Sequence, residues 1–95
     1  MAVVRWTDEA LRNLDDILAE IARENPMVAI DLVETIIASD NALKIFPARN
    51  PVRHEGGLRE RPVLGTCYIL LYRVAREGLV YILTIRHEAR SERGL

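Results

Sequence analysis

Residues 67–86, CYILLYRVAREGLVYILTIR, decide the architecture. They contain two apolar runs, Cys67 to Ala75 and Leu79 to Arg86, separated by Glu77-Gly78. Runs of Ile, Leu, Val and Tyr around a tight glycine turn predict a β-hairpin. Both strands are apolar on nearly both faces, as strands lying between two coverings tend to be. Upstream, Leu58 to Leu64 reads as a third strand, joined to the hairpin by a turn at Gly65-Thr66. Pro62 cannot donate to a ladder, which assigns this strand to an edge or a bulge. The second half of the chain is therefore expected to be a three-stranded antiparallel meander.

The segment before the meander has a different period. Leu11, Leu14, Leu18 and Ile21 recur every three or four residues, which predicts an amphipathic helix over residues 8–24. Thr7 is placed to cap it, and Asp8 and Glu9 suit the positive end of the helix dipole. Asn25-Pro26 both breaks that helix and starts a second, which runs to about Ile45. Ala29, Leu32, Val33, Ile36, Ile37, Leu43 and Phe46 are expected on its buried side, and Pro47 ends it. So short a joint favours an antiparallel helical hairpin. Ala2 to Trp6 reads as a short leading strand, and Pro47 to Gly57 as an exposed connection. The fold class is α+β, in the order β-α-α-β-β-β, as a single domain over residues 1–95. Two helices can cover one face of the sheet only, so a partner chain is expected on the other.

Composition narrows the function classes. With 49% hydrophobic and 28% charged residues, the 95-residue chain is an ordinary globular domain with one core. No stretch resembles a signal peptide or approaches the roughly 20 apolar residues of a membrane helix, and a cytoplasmic location is expected. Cys67 is the single cysteine, which excludes an intrachain disulfide and a thiolate zinc cluster. Neither a metal nor a cofactor is expected. The net charge of −1 conceals two unlike halves, since residues 1–46 carry nine acids and four bases and residues 47–95 carry nine arginines and five acids. That asymmetry suits a polyanionic or acidic partner for the second half. It equally suits a basic sheet that offsets acidic helices.

Several short motifs in this order resemble the RelE/ParE toxin superfamily, in particular its ParE branch. They are Trp6 leading into Ala10, Leu14, Ile17 and Ile21 of the first helix, Pro26 and Ala29 in the second, Gly57-Leu58-Arg59-Glu60, the strand Tyr68-Ile69-Leu70-Leu71-Tyr72-Arg73-Val74, and His87 with Arg90 after the last strand. Only their ordered combination is specific. One departure is Ala48-Arg49-Asn50, where family members often carry Gly-Arg.

The resemblance implies a bacterial toxin held inactive by a cognate antitoxin, and it offers two activities. RelE-like members cut messenger RNA on the ribosome, which needs a base, an acid and cations around the phosphate. Where they carry a catalytic arginine this chain has Ile69, and its one lysine, Lys44, lies on the second helix. Glu60 with His87 is the pairing that could replace those groups. ParE-like members inhibit DNA gyrase without catalysis. Arg86, His87, Arg90 and Arg93 would then contact the target through charge-assisted bonds, although surface arginines are often merely solvated. The expected function is gyrase inhibition, with no catalytic residues. A ParD-like antitoxin is the implied partner, in a hetero-oligomer, with Leu58, Tyr68, Tyr72 and Arg73 as candidate contacts. Tyr68 and Tyr72 can equally be core, since alternation places them on one strand face with Leu70 and Val74. Cys67 is expected to be buried, and His54 to be solvated.

Overall fold

The structure, a computed structural model, describes residues 1–76 and 78–88. Its elements are β1 (Val3–Trp6), α1 (Asp8–Glu24), α2 (Pro26–Ile45), β2 (Val52–His54), a 3-10 turn at Glu55–Gly57, β3 (Leu58–Pro62), β4 (Tyr68–Arg76) and β5 (Leu79–His87). The helices start where local chemistry directs. Thr7 Oγ1 accepts from the amide of Ala10 at 3.1 Å, and Asn25 Oδ1 accepts from that of Val28 at 3.3 Å beside a proline in the first turn. Each side-chain oxygen satisfies an amide that the helix cannot.

The five strands form one sheet in the order β1-β5-β4-β3-β2. The predicted meander is present as β3, β4 and β5, antiparallel throughout. The sheet as a whole is mixed, because β1 runs parallel to β5, Val4 opposite Val80 and Trp6 opposite Ile82. A fifth strand, β2, lies inside the expected connection and pairs with β3. β1 pairs only with Leu79 to Ile82; beyond it, α1 serves the β5 edge. Thr7 Oγ1 donates to the Leu83 carbonyl, and Asn13 Oδ1 accepts from the Ile85 amide and the Thr84 hydroxyl.

One side of the sheet packs on the helices. Leu70, Tyr72, Val80 and Ile82 are fully buried there with Ala10, Leu43, Leu32 and Ile36, while Trp6, Leu14, Ile17, Leu18 and Ile21 pack against them. At about 25 cal/mol per Å² of apolar surface, this cluster is the main stabilising term of so small a domain. Two helical expectations fail. Ile37 and Phe46 are 53% and 57% exposed, because α2 is apolar around its circumference and only the line through Ala29, Leu32, Ile36, Ser39 and Leu43 meets the sheet. Phe46 is instead covered by the Arg49 guanidinium, 5.5 Å from its ring centre. No partner chain is needed to bury Ile69 and Leu71 on the other face, where they are 7% and 6% exposed. Cys67 is exposed, not buried as expected. No described helix is long and apolar enough to cross a membrane.

Candidate functional site

Alternation along β4 divides the candidate residues between two faces. Leu70 and Tyr72 point to the helices, so Ile69, Leu71 and Arg73 point away from them. Tyr72 is fully buried. Its hydroxyl donates to the Pro47 carbonyl at 3.0 Å, with Asn50 Oδ1 at 3.2 Å. Burial raises its pKa above the ordinary 10.0, although Arg59, a hydrogen bond from Asn50 and Arg61 pull the other way. Arg59, opposite Tyr72 on β3, adds a hydrogen bond to the Asn50 carbonyl at 2.5 Å. These two side chains fasten the Ala48-Arg49-Asn50 loop that departs from the family pattern. Tyr72 is thus a core residue in this conformation. Tyr68 is half-buried on the same face, edge-on to the His87 ring with centroids 5.5 Å apart.

The register decides which polar groups meet on the open face. β5 carries one extra residue at Leu83, since Leu71 opposes Thr84 while Tyr72 opposes Ile82. Such a bulge shifts the alternation by one, so every later side chain changes face. His87 therefore falls opposite Tyr68, on the helix side, in an open hollow of about 560 Å³ with Asp16, Glu20 and Glu24 of α1. Arg86 falls opposite Ile69, on the open face. The pairing of Glu60 with His87 is not formed. Glu60 meets His54 instead, Oε2 to Nε2 at 2.5 Å, with the Arg86 Nη2 at 3.7 Å from the same oxygen. Because a carboxylate can only accept, Nε2–H is the donor of this hydrogen bond when Glu60 is ionised. Arg86 Nε is buried and makes no hydrogen bond, which leaves one donor of the cluster unused.

His54 was expected to stay solvated and is half-buried. What brings it to Glu60 is the turn through Gly56 and Gly57, both at positive φ (75° and 78°), which folds β2 back on β3. The doublet is visible in the sequence, but the strand pairing it produces is not. Arg73 is exposed, with its guanidinium 3.5 Å from where a Gly56 side chain would begin. Leu58 is half-buried on β3. Arg90 and Arg93 lie outside the described residues. Among the described residues no group of His, Cys, Asp and Glu could hold a metal ion.

A strand, a helical hairpin and a mixed sheet in this order have the architecture of the RelE/ParE toxins. The chain matches the family model of the ParE toxin of type II toxin-antitoxin system, parDE, over residues 4–92. It belongs to that family. It is 37% identical over 84 residues to the toxin homologue Y4kP of Sinorhizobium fredii, covering 88% of this chain and 85% of that one. To the toxin RelE2 of Caulobacter vibrioides it is 36% identical over 90 residues, covering 95% and 99%. Among solved structures it resembles the chromosomal ParDE toxin-antitoxin system of P. aeruginosa, with a TM-score of 0.77 at 21% identity over 92% of this chain and 96% of that one. It also resembles YafQ of E. coli, with a TM-score of 0.55 at 13% identity over 96% and 98%. At these identities the structural likeness establishes the fold alone. The chain is the toxin of a type II toxin-antitoxin system, and an antitoxin is its partner.

Proposed function

We propose that the toxin acts in the cytoplasm as a non-enzymatic inhibitor of DNA gyrase and is neutralised by a ParD-type antitoxin. The observation that carries this reading is the open face around Ile69. An isoleucine, 7% exposed, stands where ribonuclease relatives need a cation, and the one carboxylate nearby, Glu60, is already engaged by His54 and Arg86. A general base held in that way is poorly placed to take a proton from a ribose hydroxyl. The toxin would then work by occupying a surface of its target. Purified toxin added to gyrase should block supercoiling and accumulate cleaved DNA. Unchanged supercoiling at a large molar excess of toxin would exclude the reading.

A second reading rests on the same cluster. His54, Glu60 and Arg86 bring an acid–base pair and a guanidinium onto one face, the set that ribosome-dependent cleavage of messenger RNA requires. Arg86 lies directly across from Ile69 and returns a cation to the neighbourhood that position 69 lost. Cleavage of a translated message that disappears in His54→Ala and Glu60→Gln would establish this reading over the first.

A further inference from the structure

We propose that the open face of the sheet binds a nucleic-acid strand, with Arg5 and Arg73 on its phosphates and Tyr81 beneath a base. The inference does not depend on which target the toxin poisons. It starts from the register: Arg73 of β4 is opposite Tyr81 of β5, and Tyr81 is opposite Arg5 of β1. The three residues therefore form one row across three strands, about 10 Å from end to end at the usual strand spacing. Their immediate neighbours Tyr72, Val80, Ile82 and Val4 pack in the core, so the row faces away from the helices. Arg5 and Arg73 are exposed, and Tyr81 is half-buried between them.

The charge on this face is one-sided. Among the described residues Glu60 is the one carboxylate on its strands, and it is already covered by His54 and Arg86. Neither Arg5 nor Arg73 forms an ion pair with a described residue, and neither guanidinium lies over the Tyr81 ring, although the Arg49–Phe46 pair shows that the chain makes such contacts elsewhere. Two unpaired cations flanking an unstacked aromatic ring match the pattern that holds single strands, in which cations follow the backbone and the ring takes a base. Farther along the same face, the partly exposed Arg86 side chain brings a third guanidinium as the next phosphate contact. An acidic peptide could use the arginines but would have no use for the ring, which decides between the two partners.

The test is fluorescence anisotropy of the full-length toxin with a labelled single-stranded DNA, its duplex, RNA of the same sequence, and polyglutamate. A strand held by three cations should bind with log affinity falling at a slope of about −2 against log salt. Arg5→Ala with Arg73→Ala should reduce that slope by about 1.4 and weaken binding at least tenfold. Tyr81→Ala should weaken it by roughly tenfold or more, whereas Tyr81→Phe should not. A preference for DNA or for RNA would identify the source of the strand, and either supports the proposal. Three results would overturn it: no saturable binding to any strand, equal binding by the double-arginine variant, or polyglutamate binding as tight as the strands and indifferent to Tyr81→Ala. Circular dichroism of each variant confirms folding, and because gyrase is absent from the assay, a failure here leaves gyrase inhibition to be judged separately.

Discussion

Tyr72 and Arg73 are adjacent in β4 and belong to different worlds. On the helix side the fully buried Tyr72 reaches through the core to the loop after α2. On the open side Arg73 is exposed and forms no ion pair with a described residue. The contrast extends over the whole sheet. Several polar atoms on the helix side fasten loops and edges, as with Tyr72 and Pro47, Arg59 and Asn50, or Asn13 and Ile85. Those on the open side gather around one carboxylate or point to solvent. Strand alternation thus separates packed from exposed side chains at single-residue resolution, which makes the proposed division between stability and recognition testable residue by residue.

The strongest test is Tyr72→Ala. It removes a fully buried ring and leaves the Pro47 carbonyl without its donor, and should cost on the order of 3–5 kcal/mol. Urea denaturation measures this directly. A loss below about 1 kcal/mol would mean that the loop and core tolerate the cavity and that the helix side is not the stabilising face. Removing only the hydroxyl, by Tyr72→Phe, should cost about 1 kcal/mol at neutral pH. This variant also isolates a pH effect. Because the folded chain holds the Tyr72 proton above the ordinary 10.0, the unfolded chain loses its proton first as pH rises. The contribution is complete below pH 10.0 and is lost above it as the folded group approaches its own raised value. Urea midpoints should therefore fall more steeply on the alkaline side in the wild type than in Tyr72→Phe. Parallel curves would show that the phenol is not held neutral by burial.

Much of the helix side could be read from sequence because its signals are local. Thr7, Asn25 and Pro26 mark helix ends within a few residues, and the apolar stripe of α1 recurs at its own period. The hairpin of β4 and β5 was legible for the same reason. What escaped was non-local. The parallel pairing of β1 depends on Val3 finding Leu79, and β2 is only three residues long, a strand solely because β3 lies beside it. The open face was least legible, since its composition depends on a bulge at Leu83 that no residue type announces. Without that extra residue Ile85 and His87, and not Arg86, would lie on the open face. The candidates named from sequence could therefore not be assigned to faces.

Glu60→Gln probes the open side with a smaller expected effect. The pair with His54 is partly exposed and the contact with Arg86 is long, at 3.7 Å, so the loss should be about 1 kcal/mol or less. Growth inhibition separates the two functional readings. A gyrase inhibitor with this change should remain toxic at matched expression, whereas a ribonuclease that uses the Glu60 carboxylate should not.

The smallest stability effect is expected one residue from the largest. Arg73 is exposed and lacks an ion pair with any described residue. Arg73→Ala should shift the unfolding free energy by no more than about 0.5 kcal/mol. If the two faces divide labour as their contacts indicate, Tyr72→Ala should unfold the protein more readily in urea, and Arg73→Ala should leave that midpoint unchanged while reducing strand binding. A stability loss at Arg73 comparable to that at Tyr72 would mean that its guanidinium, over Gly56, is holding the β2–β3 turn in place. Arg73→Lys distinguishes the causes, because it retains the charge for a phosphate but not the planar group that lies along the turn. Binding retained in Arg73→Lys, with stability unchanged in both variants, would place the role of Arg73 on the open face rather than in the fold.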